Sequence, residues 1–253
     1  MTVLGEYLWA RRALLQPECV GLQRESNRRV PGLRREEVAM LASISPEYYL
    51  RLEQGHDKEP SDQVLHGLAR ALRLDRNAEQ YLLRLRSLHP VANSGPSHDG
   101  VIPETVRELL NGWLETPAYV ASSNLDVLLV NDRARQLRNH RIEHGLNLVE
   151  WTFSQDSRNE ADWETRAAAS AAELRYHGDP YDLRFQQVVG RLAVRDQDFR
   201  ALWARHDARP NPAGRVRVDR AGAPVGHASF HSFEIPGTAG LIVTVLQEDN
   251  LVM

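Results

Sequence analysis

The sequence predicts an all-α N-terminal domain built around a helix-turn-helix, followed by an α/β domain in which a five-stranded antiparallel sheet carries inserted helices. Three observations carry this expectation. From Arg35 to Leu52 the apolar residues recur at the spacing of two short helices joined by a tight turn. Between Ala92 and Gly100 the string ANSGPSHDG lacks apolar periodicity and holds two glycines, a proline and two serines, the composition of a connection. Beyond it the pattern passes from helical to extended, back to helical, and ends extended. The predicted organisation is a helical domain over 1–90, a linker over 91–100 and the α/β domain over 101–253.

Within REEVAMLASISPEYYLRL, small Ala39 allows two helices to touch, Val38, Leu41 and Ala42 fill the inner face, and Ile44 plugs the turn. Ser45 offers an N-terminal cap to the second helix, Pro46 suits its first position, and Tyr49 and Leu52 point into the core. Glu47, Tyr48, Arg51 and Gln54 are left on the outward face, and Gly55 closes the helix in a left-handed conformation. Ser43 stands at a turn position that favours glycine, a strain of about 1 kcal/mol if the residue is left-handed. Ser61 and Asp75 open two further helices whose stripes are Val64, Leu65, Leu68, Leu72 and Leu82, Leu85, Leu88. With Leu4, Leu8 and Leu15 of a first helix, five short helices share one core.

Helical hairpins with apolar inner faces also occur in bundles that bind nothing, and the distribution of charge argues against that reading. The chain as a whole is mildly acidic, with 31 basic and 34 acidic side chains. Yet Arg24, Arg28, Arg29, Arg34 and Arg35 face only Glu25 between Leu22 and Arg35. Arginines before the first helix of the motif are placed to hold phosphates, while Ser45, Glu47, Tyr48, Arg51 and Gln54 on the second are placed to meet base edges. A motif with so little net charge makes few contacts, so the expected target is double-stranded DNA with an inverted-repeat operator, bound by a homodimer.

A single cysteine, Cys19, excludes an internal disulfide framework and any multi-cysteine zinc site. MTVLGEYLWARR does not read as a signal peptide and no run approaches a membrane span, so the expected location is the cytoplasm, away from membranes. Glycine-rich phosphate loops, nucleophile elbows and helical zinc motifs are missing, which disfavours an enzyme, and neither a cofactor nor a metal is expected. His227-x3-His231 has the spacing of a strand-borne metal pair but lacks an acidic or cysteine partner.

In the second domain a helix runs from Val101 to Trp113, strands are expected at Ala118–Ser122 and Leu125–Val130, and Asn131 starts another helix. Ser157-Arg-Asn-Glu160 has capping-box spacing before the stripe Trp163, Ala167, Ala171, Leu174. Helices over Asp182–Ala193 and Asp196–His206 precede strands at Arg215–Arg220, His227–Ile235 and Leu241–Gln247. Two strands, several helices and three strands is a PAS-like order, with helices covering one face of the sheet. Trp113, Tyr119, Trp151, Phe153, Trp163, Phe199 and Trp203 are candidates to line an apolar space there, though such aromatics more often fill a core than line a cavity. Arg205, His206 and Arg209 could meet the polar end of a ligand or form a surface ion-pair cluster.

RLEQGHDKEPS after the turn resembles the corresponding junction of the Xre family of phage-repressor-like regulators, a likeness covering about the first 88 residues. A wider resemblance rests on RRVPGLRREEVAMLA, Trp113 with TPAYV, Asp126-Val127 followed by Asn131, Asp156 and Arg158 before Asp162-Trp163-Glu164, and FRALWARHDAR. Together these are similar to the MmyB-like regulators, which join an Xre-type DNA-binding domain to a PAS-like ligand domain. The resemblance implies a transcription factor whose C-terminal pocket takes a fatty acid or another apolar or amphipathic small molecule. Ala223-Pro224-Val225-Gly226 departs from the family's usual His-Pro before Val-Gly, which puts any ligand contact by that histidine in doubt. The alternative is a DNA-binding regulator whose second domain only dimerises or engages a partner protein.

Overall fold

The structure is a computed structural model that describes residues 2–24, 28–56, 59–88, 102–137, 142–218, 226–238 and 240–248. The linker Ala92–Gly100, Glu25 and the Ala223-Pro224-Val225 departure lie outside these. By spatial contact the chain separates into two compact units, Met1–Val91 with Ala193–Arg209, and Ala92–Leu192 with Pro210–Met253.

The first unit contains α1 (Val3–Leu14), a 3-10 turn (Pro17–Val20), α2 (Arg35–Ala42), α3 (Pro46–Gln54), α4 (Asp62–Ala71) and α5 (Arg76–Ser87). Each of the caps anticipated in this unit forms. The side chains of Ser45, Ser61 and Asp75 accept backbone N–H bonds from Tyr48, Val64 and Ala78. These satisfy donors that the first helical turn would otherwise leave open. Val38, Ala39, Tyr49, Leu52, Leu65, Leu68 and Leu82 are sealed from solvent, whereas Leu41 and Ile44 are only half-buried. Ser43 is left-handed (φ 57°, ψ 43°), and the turn closes with Ile44 N–H donating to Ala39 O at 3.0 Å. Gly55, at φ 76°, ends α3 with no Cβ penalty.

A buried ion pair ties this unit together. Arg12 Nε donates to Glu53 Oε1 at 2.6 Å and its Nη1 to Leu33 O at 2.8 Å, which joins α1, α3 and the segment before α2. Arg35 Nε donates to the other carboxylate oxygen at 2.6 Å. Glu53 is 1% exposed, so the middle residue of RLEQG serves the core beside Leu52 while Arg51 and Gln54 face solvent.

The second unit begins with α6 (Glu104–Gly112), β1 (Ala118–Ala121), β2 (Val127–Val130) and α7 (Asp132–Arg135). It continues through α8 (Leu148–Thr152), α9 (Gln155–Arg158), α10 (Trp163–His177) and α11 (Leu183–Arg195). After α12 (Gln197–Trp203), whose residues cluster with the first unit, come β3 (Ala213–Val218), β4 (Gly226–Glu234) and β5 (Ile242–Glu248). The five strands form one antiparallel sheet in the order β2-β1-β5-β4-β3. The last strand therefore lies centrally between the first and the fourth. Asn131 fixes the edge of β1: its Oδ1 accepts from Ala118 and Ala134 N–H, and its Nδ2 donates to the carbonyls of Trp113 and Thr116.

The anticipated capping box at Ser157 does not open the long helix. Ser157 is buried at the end of the separate turn α9, and Arg166 takes both intended capping groups, donating to Ser157 Oγ and pairing with Glu160. α10 starts instead at Trp163. Its stripe forms as expected, with Ala167, Ala171 and Leu174 buried. The β2 strand starts two residues later than expected because Leu125 adopts φ 62° and Val127 N–H donates to Leu146 O.

Candidate nucleic-acid interface and ligand cavity

On α3, Glu47, Arg51 and Gln54 are exposed and Tyr48 is half-buried, so one helical face is presented outward from a rigid base. Ser45 is exposed, with its oxygen committed to the cap. The arginines before α2 divide by role. Arg29 is exposed and Arg34 half-buried at the start of the helix. Arg28 corrects the expectation of a phosphate contact. Its side chain is 2% exposed, it pairs with Glu37 through both terminal guanidinium nitrogens, and its Nη2 also donates to Gly32 O at 2.7 Å. That pairing depresses the Glu37 carboxyl below its ordinary pKa, with the Arg34 N–H adding to the effect of Arg28. Arg35 is partly committed as well, since its guanidinium also neutralises Glu53.

The second unit forms a partly open cavity of about 360 Å³ between its sheet and its helices. Tyr119 and Ala121 of β1, Phe230 and Ser232 of β4, and Ile242, Thr244 and Leu246 of β5 line one wall. They are alternate residues of their strands, and the register sets Tyr119 opposite Thr244 and Thr244 opposite Ser232. A polar row thus crosses three strands inside an otherwise apolar wall. Ser232 Oγ and Thr244 Oγ1 lie 2.8 Å apart, and the Tyr119 hydroxyl hydrogen-bonds Thr244. Gly214 of β3 matters by its lack of a side chain, since a Cβ there would lie 2.6 Å from the Phe230 ring.

The opposite wall comes from α8 and from one face of α10, where Asp162, Arg166, Ser170 and Glu173 recur at helical spacing. This face adjoins the apolar stripe of α10 and is distinct from it. Leu125, Ile142, Leu146 and Leu148 supply the aliphatic lining. Burial raises the Glu173 carboxyl to about 8, opposed by a hydrogen bond with Asn211. Burial likewise raises Tyr119 to about 12, a shift that the bond to Thr244 opposes and nearby Glu173 reinforces.

Of the aromatics anticipated at the ligand site, Tyr119 and Trp151 line this cavity and the others do other work. Trp113 packs against Val106, Leu110 and Ala118. Phe153 meets Trp163 edge-on at 5.9 Å, Trp163 Nε1 donates to Thr152 O at 2.7 Å, and Arg158 covers the indole, so this pair locks α8 to α10. Phe199 is fully buried and stacks on Trp203 at 5.3 Å in the segment that clusters with the first unit. Arg205 and Arg209 are exposed and His206 is half-buried in that same segment, none of them in the cavity lining. The unit that holds the cavity does not contain them.

The polar residues of the cavity went unread in the sequence. Glu173 carried a usable signal, an acid inside the alanine-rich run RAAASAAEL on the cavity face. Thr244, Ser232 and Asn211 carried none, because only strand register brings them together. His227 and His231 are exposed positions of β4. No group of three or more metal-ligating side chains gathers among the described residues.

An outward helix in a compact five-helix unit, joined in one chain to a sheet domain that holds a cavity, defines a helix-turn-helix regulator with a ligand-binding domain. Residues 4–82 match a helix-turn-helix domain family, and residues 102–250 match the MmyB-like transcription regulator ligand binding domain. The second match covers more than half of the chain, and the protein belongs to the MmyB-like transcription regulators. A comparison with curated proteins finds no match. No helix among the described residues is long and apolar enough to cross a membrane.

Proposed function

We propose that this regulator binds an inverted-repeat operator as a homodimer, through Glu47, Tyr48, Arg51 and Gln54, and that an amphipathic effector with a fatty-acid-like chain occupies the cavity. The observation that carries the effector reading is the cavity itself, which is within the size range of small-molecule sites and combines an aliphatic lining from Leu125, Ile142, Leu146 and Leu148 with polar side chains. Each methylene buried there would contribute about 0.8 kcal/mol. An effector must bind the DNA-competent and incompetent states unequally, and a coupling of about 1–3 kcal/mol corresponds to a 5- to 150-fold change in operator affinity. The expected result is such a change in DNA-binding isotherms recorded with and without saturating ligand. Tight ligand binding with unchanged operator affinity would leave a lipid-binding domain without a sensing role.

For the operator, footprinting is expected to reveal two protected half-sites whose centres lie about 10 base pairs apart or a multiple of that. Arg51→Ala is expected to weaken specific binding by about 1–3 kcal/mol, whereas Arg29→Ala should weaken binding evenly across sequences and flatten its salt dependence. Isotherms at several salt concentrations separate the two behaviours. Wild-type operator affinity in Arg51→Ala would displace α3 from the groove.

A further inference from the structure

We propose that the cavity takes an amphipathic amine, with its cationic head against Glu173 and its tail along Leu125, Ile142 and Leu148. This rests on the reading of the cavity as the effector site and specifies the head group that the site selects.

The charges around Glu173 favour a cation. Two arginines line the cavity. Arg166 is already neutralised by Glu160 and lies 3.7 Å from Asp162, it donates to Ser157, and its guanidinium sits over the Trp151 ring. Arg215 occupies an exposed position of β3. Among the described residues, no basic side chain pairs with Glu173, and its hydrogen-bond partner is Asn211.

The sheet wall offers Tyr119, Thr244 and Ser232, whose hydroxyl oxygens can accept hydrogen bonds. An ammonium carries three donors and no acceptor, so a carboxylate with a row of hydroxyls can satisfy it. A fatty carboxylate would instead bring a second acid beside Glu173, and one of the two would have to stay protonated. The raised Glu173 pKa has the sense expected of an acid that lacks a cation, and a bound ammonium would reverse it. Binding a protonated amine near neutral pH would therefore transfer the Glu173 proton to the buffer and leave a carboxylate–ammonium pair.

The test titrates decylamine, decanoic acid and decanol, each below its aggregation concentration, into the full chain and into Glu173→Gln. Calorimetry at pH 6.5 in two buffers of different ionisation enthalpy counts the protons released. Decylamine is expected to bind tightest, to release close to one proton per molecule bound, and to lose about tenfold or more in affinity in Glu173→Gln. The proton count is read on the unmodified protein, so it holds even where the variant folds poorly. Tightest binding by decanoic acid, or amine binding without proton release, would overturn the head-group assignment while leaving the cavity as a ligand site. Failure of all three to bind would overturn both.

Discussion

Glu53→Ala is expected to destabilise the helix-turn-helix unit by about 3–5 kcal/mol, enough to abolish DNA binding without touching the outward face of α3. The reason is the charge left behind. Arg12 is 7% exposed and would lose the counter-ion that chiefly offsets desolvation of its guanidinium, keeping its bond to Leu33 O and a lesser interaction with Tyr49. The Tyr49 hydroxyl, buried beside the same pair with its pKa pushed up by desolvation, would lose its acidic neighbour too. Arg35→Ala removes a partner whose side chain is 46% exposed, so its cost should stay near the 0–1 kcal/mol of a solvated ion pair. Denaturant titration followed by helical circular dichroism measures both. An unchanged midpoint in Glu53→Ala would contradict the buried pair.

Glu173→Gln is expected to change how stability depends on pH. The folded carboxyl titrates near 8, against the ordinary 4.5. Between those values the folded state holds a proton that the unfolded state has released. Stability is therefore fully present at low pH, falls as pH rises through this window, and levels off above the folded pKa. A full shift is worth about 1.4 kcal/mol per pH unit, but Glu173 is only half-buried and solvent screens part of the charge, so a loss of about 1–3 kcal/mol is expected by pH 9. The glutamine variant lacks this loss. Thermal melts of both proteins from pH 5 to pH 9 should diverge with rising pH, and parallel curves would mean that Glu173 is solvated in the folded protein.

The two halves of the chain differ in how much of their structure could be read beforehand. In the first, motif and structure coincide because contacts are local: Ser45 caps the helix that follows it, Ser43 and Gly55 end helices through their own backbone angles, and α2 meets α3 across one short turn. Arg28 shows the limit of that reading. Its position in a basic run suggests phosphate, and only the return of the chain to Glu37 makes it a buried structural group.

In the second unit the strand segments were legible from alternation, but their partners were not. β5 pairs with both β1 and β4, contacts separated by many residues, and this pairing creates the Tyr119–Thr244–Ser232 row. Large aromatics misdirected the site assignment, since Trp163 and Phe153 contribute most by packing α8 on α10. Ala169, Ser170 and Gly214 leave room between the larger residues of the cavity lining, because space remains where side chains are short.

The amino-acid sequence by itself determined the helix-turn-helix, its caps, the outward face of α3, the strand segments and the family. All of these depend on short-range spacing and backbone preference, which a linear chain displays directly. Tertiary structure alone decided that Glu53 is a buried counter-ion, that Arg28 belongs to the scaffold, and that Glu173 faces a polar row inside an apolar cavity. Those properties arise from desolvation and from pairing between distant segments, and neither exists until the chain has folded.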